Sequence, residues 1–127
     1  MGGPVERGLE VAPGQGREFA TAGLMDMVAV RPRPDLALLM FSGEIDLSTS
    51  EDLGSWVEAP REATVVVDLT CVGFLAARAA RRLGTADEAV RARGGRLRVV
   101  VSGPVMARVL RLVGDLALHD SVVDACR

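Results

Sequence analysis

Lysine is absent from this 127-residue chain, tyrosine is absent too, and all 15 basic residues are arginine. That bias matches a GC-rich coding sequence and carries no functional meaning by itself. Long apolar runs are also missing: none approaches the ~20 residues that cross a bilayer. Met1-Gly2-Gly3-Pro4-Val5-Glu6-Arg7 lacks the apolar stretch of a secretory signal, so a cytoplasmic chain without membrane insertion is expected. There is no basic excess, the formal net charge being −2, which argues against a nucleic-acid partner.

Reactive side chains are equally scarce. Cys71 and Cys126 are too few and too far apart for a metal-ligand pattern. Cys71, among apolar residues at a strand end, is expected in the core, and Cys126 at a mobile C-terminus. A regulatory disulfide between them is the less favoured alternative, given the rarity of such bonds in the cytosol. His119 is the only histidine, and no serine or cysteine has a recognisable base and orienting group. No Gly-x-x-x-x-Gly-Lys phosphate loop is present. Of the carboxylates Glu44, Asp46 and Asp68, the last two fall at strand ends, where bonding to backbone amides is favoured over an acid pair or a Mg²⁺ site. The chain is therefore not expected to be an enzyme or to hold a cofactor or metal.

What is present is a 49% apolar, 25% charged chain of single-domain size. Its charges are segregated. Between Glu44 and Glu62 six acids face Arg61 alone, and between Arg78 and Arg98 seven arginines face Asp87 and Glu88. Solvated helix faces produce such runs, and so does a charged docking face.

Residues 1–22, rich in Gly, Pro and charge, are expected to form a flexible tail, with one domain over 23–127. Leu24 to Val30 alternates weakly, as a first or edge strand does. Arg31-Pro32-Arg33-Pro34-Asp35 is a predicted turn, because proline cannot continue a ladder. Leu36 to Phe41 is an apolar run fit for a strand buried on both faces. Ser48-Thr49-Ser50-Glu51 has the pattern of a capping box, with Ser48 as cap, ahead of a short helix with Leu53, Trp56 and Val57 on one stripe. Pro60 ends that helix. Val65-Val66-Val67, ending at Asp68, is the predicted central strand.

Ala79, Leu83, Ala86 and Val90 recur at helical spacing, with Arg78, Arg82 and Glu88 on the other face. This helix should run from about Ala76 to Arg93 and stop at Gly94-Gly95. Leu97 to Val101 is a further strand. Pro104 opens a third helix whose predicted stripe is Val105, Val109, Leu112 and Val113. A short strand over Leu116–Leu118 and a final turn capped by Ser121 complete the order. The first two strands, joined by a tight turn, should be antiparallel, and the two strand-helix-strand units that follow imply right-handed parallel crossovers.

Several motifs stand in a recognisable order: Phe41-Ser42-Gly43-Glu44-Ile45-Asp46, Val67-Asp68-Leu69-Thr70, Phe74-Leu75, Arg91-Ala92-Arg93-Gly94-Gly95-Arg96-Leu97 and Val109-Leu110-Arg111-Leu112-Val113-Gly114. Together, over roughly Leu24 to Asp120, they resemble the STAS domain family, in particular the anti-sigma factor antagonists of bacterial partner switching. The resemblance implies an α/β fold with a mixed, mostly parallel sheet of four to five strands and helices packed largely on one side. It implies a protein-binding regulatory module that docks on a kinase-type anti-sigma factor, or a related kinase-fold protein, and controls release of a sigma factor. In the family Phe-Leu is usually followed by Asp-Ser-Ser-Gly, whose second serine is phosphorylated. Here the matching residues are Ala76, Ala77, Arg78 and Ala79. The phosphoserine position thus holds Arg78, the preceding one Ala77, and phosphorylation there is not expected. By the family pattern the contact surface comprises Gly73, Phe74, Ala76, Ala77, Arg78 and Arg82, with Gly43, Glu44 and Asp46 beside it. The alternative is a scaffold, as a homodimer or a subunit of a sensory or transport assembly, that no longer antagonises a sigma factor.

Overall fold

The computed structural model describes residues 10–11 and 16–127. Seven strands form one mixed sheet in sequence order: β1 (Glu10–Val11), β2 (Glu18–Ala22), β3 (Met25–Arg33), β4 (Leu36–Ile45), β5 (Thr64–Leu75), β6 (Arg96–Val100) and β7 (Ala117–His119). The pairs from β1 to β4 are antiparallel, and those from β4 to β7 are parallel. The helices are α1 (Ser50–Glu58), α2 (Ala77–Ala92), α3 (Pro104–Arg111) and the short α4 (Val122–Ala125).

Period-two alternation sorts the strand residues onto two faces. Leu39 and Phe41 of β4, Val65 and Val67 of β5, and Leu97 and Val99 of β6 point into the main core with Leu53, Trp56 and Val57 of α1, Ala79 and Leu83 of α2, and Ala107 and Leu110 of α3. Phe41 and Trp56 stack there with ring centroids 6.4 Å apart. Leu36, Leu38, Val66 and Val100 face the other way, under Ala125 of α4. Helices thus lie largely on one side, as expected.

The sheet has more strands than the expected four to five, because part of the expected tail is ordered. Glu18–Ala22 forms β2, burying Ala20 and Ala22, and a two-residue turn at Gly23-Leu24 joins it to β3. Gly23 takes φ +55°, and a glycine with positive φ in the first central position suits a tight hairpin. The other residues of the expected tail, 1–9 and 12–15, lie outside the described residues.

Pro32 does not end its strand. β3 continues to Arg33, with the register slipping between Val30 and Arg33, the kind of irregularity at which a strand tolerates proline. The predicted stripe of α3 is out of phase: Val105 and Leu112 are exposed, while Ala107 and Leu110 are buried. Small Ala107 lets the helix lie close to the sheet, which hydrophobicity alone does not reveal.

Arg82 also departs from expectation. It leans from α2 over Gly54 of α1 and is only 15% exposed, with Nε 3.1 Å from Glu51 and a terminal nitrogen 2.6 Å from Glu58. Burial works against its charge, but the hydrogen bonds to Glu58 and Glu51 outweigh it and raise the guanidinium pKa. Since Glu51 is largely solvated, Glu58 is the stronger partner. Arg82→Ala is expected to destabilise the domain by about 1–2 kcal/mol. Urea unfolding measures this, and an unchanged midpoint would show the bridge to be ornamental.

Candidate protein-docking site

Two parallel strands, β4 and β5, end side by side at the corner that leads into α2. Glu44 pairs with Phe74 and Ile45 with Leu75, and the Ala76 N–H donates to the Ile45 carbonyl at 2.9 Å. Neither strand stops where the apolar runs suggested. Gly43-Glu44-Ile45, beyond the expected strand over Leu36 to Phe41, is the end of β4, and β5 runs eight residues past Val67 to Leu75. The extension is irregular. β5 uses three steps from Asp68 to Cys71 where β4 uses two from Met40 to Ser42, and Gly73 falls in a second slip between Val72 and Phe74. Such bulges re-aim side chains. Cys71 is accordingly exposed, not in the core as expected.

The corner is braced from the β2–β3 turn. The Glu44 N–H donates to the Leu24 carbonyl at 3.0 Å, and Gly43 adopts φ +90°. A Cβ on Gly43 would lie 2.0 Å from that same carbonyl oxygen, so only glycine fits. Gly73 is less constrained: its nearest neighbour would be 3.9 Å away.

Ala76 caps α2 in an extended conformation (φ −65°, ψ 151°), offering no side-chain cap bond, and the first turn holds no acid. The first-turn N–H groups and the positive end of the helix dipole are therefore uncompensated by side chains. Ala77 and Arg78 are exposed there, and Phe74 beside them is 51% exposed. No hydroxyl occurs from residue 73 to 82. The structure thus gathers Gly43, Glu44, Gly73, Phe74, Ala76, Ala77 and Arg78 at one corner. Arg82 stands apart, held between α1 and α2.

Asp46 has a structural task at the edge of the corner. Its carboxylate accepts from the backbone N–H groups of Ser48 and Thr49 and from the Ser48 hydroxyl at 2.7 Å. The Thr49 hydroxyl accepts the Asp46 N–H, completing a capping box two residues earlier than the predicted one at Ser48. A 3-10 turn (Leu47–Thr49) then leads into α1. The Ser48 hydroxyl bond is the main cause that holds the Asp46 pKa below its usual 3.8, against desolvation. A carboxylate with a depressed folded pKa stabilises above its unfolded pKa, and this is lost as pH falls through the folded value. Asp46→Asn is therefore expected to lower the urea midpoint at about pH 7, with the gap to wild type closing as pH falls below the usual carboxylate range. A gap that stays constant with pH would refute the carboxylate's role.

Sequence reasoning missed the far wall of the site. Ser102, Gly103, Pro104 and Val105, at the start of α3, face Phe74 across a cavity of about 440 Å³. Pro104 marked the helix start, but nothing local told that it opens opposite Phe74. Elsewhere, His119 Nδ1 lies 2.8 Å from Asp124, whose pKa it lowers, and burial raises the thiol pKa of Cys126. No cluster of three or more His, Cys, Asp or Glu side chains suited to a metal occurs among the described residues. No helix among them is long and apolar enough to cross a membrane.

None of the curated protein sequences matches the chain. Solved structures do. An anti-sigma factor antagonist from Mycobacterium paratuberculosis is similar with TM-score 0.66 and 26% identity, over 80% of this chain and 91% of that one. The unphosphorylated anti-sigma factor antagonist SpoIIAA gives 0.64 at 12% identity, over 79% and 93%. The phosphorylated form of SpoIIAA, a Bacillus cell fate determinant, gives 0.61 at 14% identity, over 80% and 99%. These two identities speak for the fold alone. The family model of the STAS domain matches residues 27–125, most of the chain and every element from β3 through α4 apart from a few end residues. The chain belongs to the STAS domain family.

Proposed function

We propose that this chain is a non-catalytic, cytoplasmic anti-sigma factor antagonist that docks through the β5–α2 corner on a kinase-type anti-sigma factor. Docking then controls release of the sigma factor. The docking unit is residues 23–127 together with the β2 strand before them. The observation that carries the reading is the corner itself: a helix start without side-chain caps, flanked by half-exposed Phe74, in a region with no hydroxyl to phosphorylate. The similar Mycobacterium paratuberculosis structure, itself an anti-sigma factor antagonist, supports the same role.

Arg78 stands at the positive end of α2, where the helix dipole disfavours a cation. A carboxylate on a partner relieves that misfit, so Arg78 serves as a contact residue, and binding is constitutive with respect to this position. The full chain should be titrated calorimetrically against each kinase-type anti-sigma factor of its own genome. One should bind, and Phe74→Asp should weaken it at least ~10-fold while leaving the fold intact, since Phe74 is half-exposed. Binding to none of them, or an affinity indifferent to Phe74→Asp, overturns the reading. Self-association alone would favour the scaffold instead.

A further inference from the structure

Beyond the corner, α2 and α3 leave a groove between them that no element among the described residues covers. Half-buried Val109 and Val113, with Leu112 (82% exposed), form one wall at the C-terminal end of α3. Opposite them α2 presents the small residues Ala77, Ala80 and Gly84, and the space between is an open groove of about 500 Å³. Gly84 shapes it: a Cβ there would come within 2.9 Å of the Val113 carbonyl oxygen, so the helices close up only on glycine. Val109 also lines the cavity beside Phe74, which makes the two hollows neighbours along α3.

Charge selects what fits the groove. Arg78 and Arg81 of α2 and Arg108 and Arg111 of α3 are exposed. Among the described residues none of these four guanidinium groups has an ion-pair or hydrogen-bond partner, whereas Arg82, Arg91 and Arg93 are all engaged. The one exposed acid on either helix, Glu88, lines the groove with Arg81. Arg81 lines the groove itself and Arg108 lies one turn before Leu112, whereas Arg111 faces a separate hollow with His119, Asp120 and Asp124. Against the single acid Glu88, the unpaired Arg81 and Arg108 complement an apolar stripe flanked by carboxylates.

We propose that the α2–α3 groove receives an acidic amphipathic helix of a protein partner, its bulky apolar side chains at i, i+4 and i+7 seated between the helices and its Asp or Glu side chains on the arginines. A concave floor of alanine and glycine admits such a ridge of side chains. Insertion into an anionic membrane instead needs an apolar face that projects into the acyl boundary. A second copy that meets the groove face to face brings the same arginines and is repelled. The proposal does not depend on the identity of the anti-sigma partner, because its determinants, Leu112 and Arg108, lie on α3 away from the corner.

The test uses the immobilised full chain and a displayed library of helices of about 15 residues with a fixed leucine stripe and randomised acidic or basic flanks. Acidic flanks should be enriched, and a synthetic peptide from the winners should bind at least ~10-fold more weakly to Leu112→Asp. The double change Arg81→Glu with Arg108→Glu should reverse the preference to basic flanks. Both variants alter exposed side chains, and circular dichroism verifies their folding. Four outcomes overturn the proposal: no enrichment, enrichment of basic flanks, binding indifferent to Leu112→Asp, or winners that retain acidic flanks on the charge-reversed protein. Two controls bear on other occupants. Leu112-dependent binding to phosphatidylserine vesicles, or Leu112-dependent self-association in sedimentation, without peptide enrichment, assigns the groove to a membrane or to a second copy and also overturns it.

Discussion

Gly43→Ala is expected to destabilise the domain by about 2–4 kcal/mol, a large share of the ~5–15 kcal/mol typical of such a fold. Two terms add. A non-glycine residue at φ +90° stores about 1–3 kcal/mol of backbone strain. The new Cβ, placed 2.0 Å from the Leu24 carbonyl oxygen, also forces the β2–β3 turn away and breaks the Glu44–Leu24 hydrogen bond, at about 1 kcal/mol more. The obstacle is backbone and cannot rotate aside. Because Glu44 pairs with Phe74, the same displacement reaches the proposed docking corner. Gly73→Ala is the control, since its added Cβ would meet nothing closer than 3.9 Å; it should change stability by about 0.5 kcal/mol or less. Urea or thermal unfolding of the two variants decides the matter. Equal losses would show that glycine is not required at position 43.

Installing serine at the corner should have the largest functional effect. The double substitution Ala77→Ser with Arg78→Ser places two hydroxyls in the first turn of α2, where backbone N–H groups and the helix dipole favour an anion. If the partner is a kinase-type anti-sigma factor, ATP should then lead to phosphate on this turn, whereas wild type gains none over residues 73–82. A phosphate adds about −1.5 to −2 charges at the contact and should weaken docking by ~100-fold or more. Mass-spectrometric peptide mapping follows the modification and calorimetry follows the affinity. A variant that binds the kinase as wild type does, yet is never phosphorylated, would mean that the corner is not presented to the kinase's active site.

Much of the fold was legible because local pattern and tertiary demand coincide. The β-branched run Val65-Val66-Val67, the helical recurrence of Ala79, Leu83, Ala86 and Val90, and the glycine pair after α2 each have one good structural solution. The alternation of parallel strands and helices follows from them. The functional corner was legible only in outline. Its motif order pointed to the place, but two bulges in β5 decide which side chains face outward there. Those slips exist because β5 must stay paired with β4 beyond the apolar run, a non-local constraint that composition does not encode. The strand β2 was hidden for a similar reason: Ala20 and Ala22 look unremarkable until they lie flat against β3.

The sequence by itself determined the absence of a hydroxyl from residue 73 to 82, and with it the absence of a phosphoacceptor at the family's usual place. That is a covalent fact, and no packing alters it. The distribution of arginines among roles was settled by tertiary structure alone. Arg82 and Arg78 stand four residues apart on one helix and look alike as letters. α1 comes close enough to give Arg82 two carboxylates and leaves Arg78 in solvent at the helix start. The partners of Arg82 lie 24 and 31 residues away in the chain, so its pairing is a property of how the helices pack.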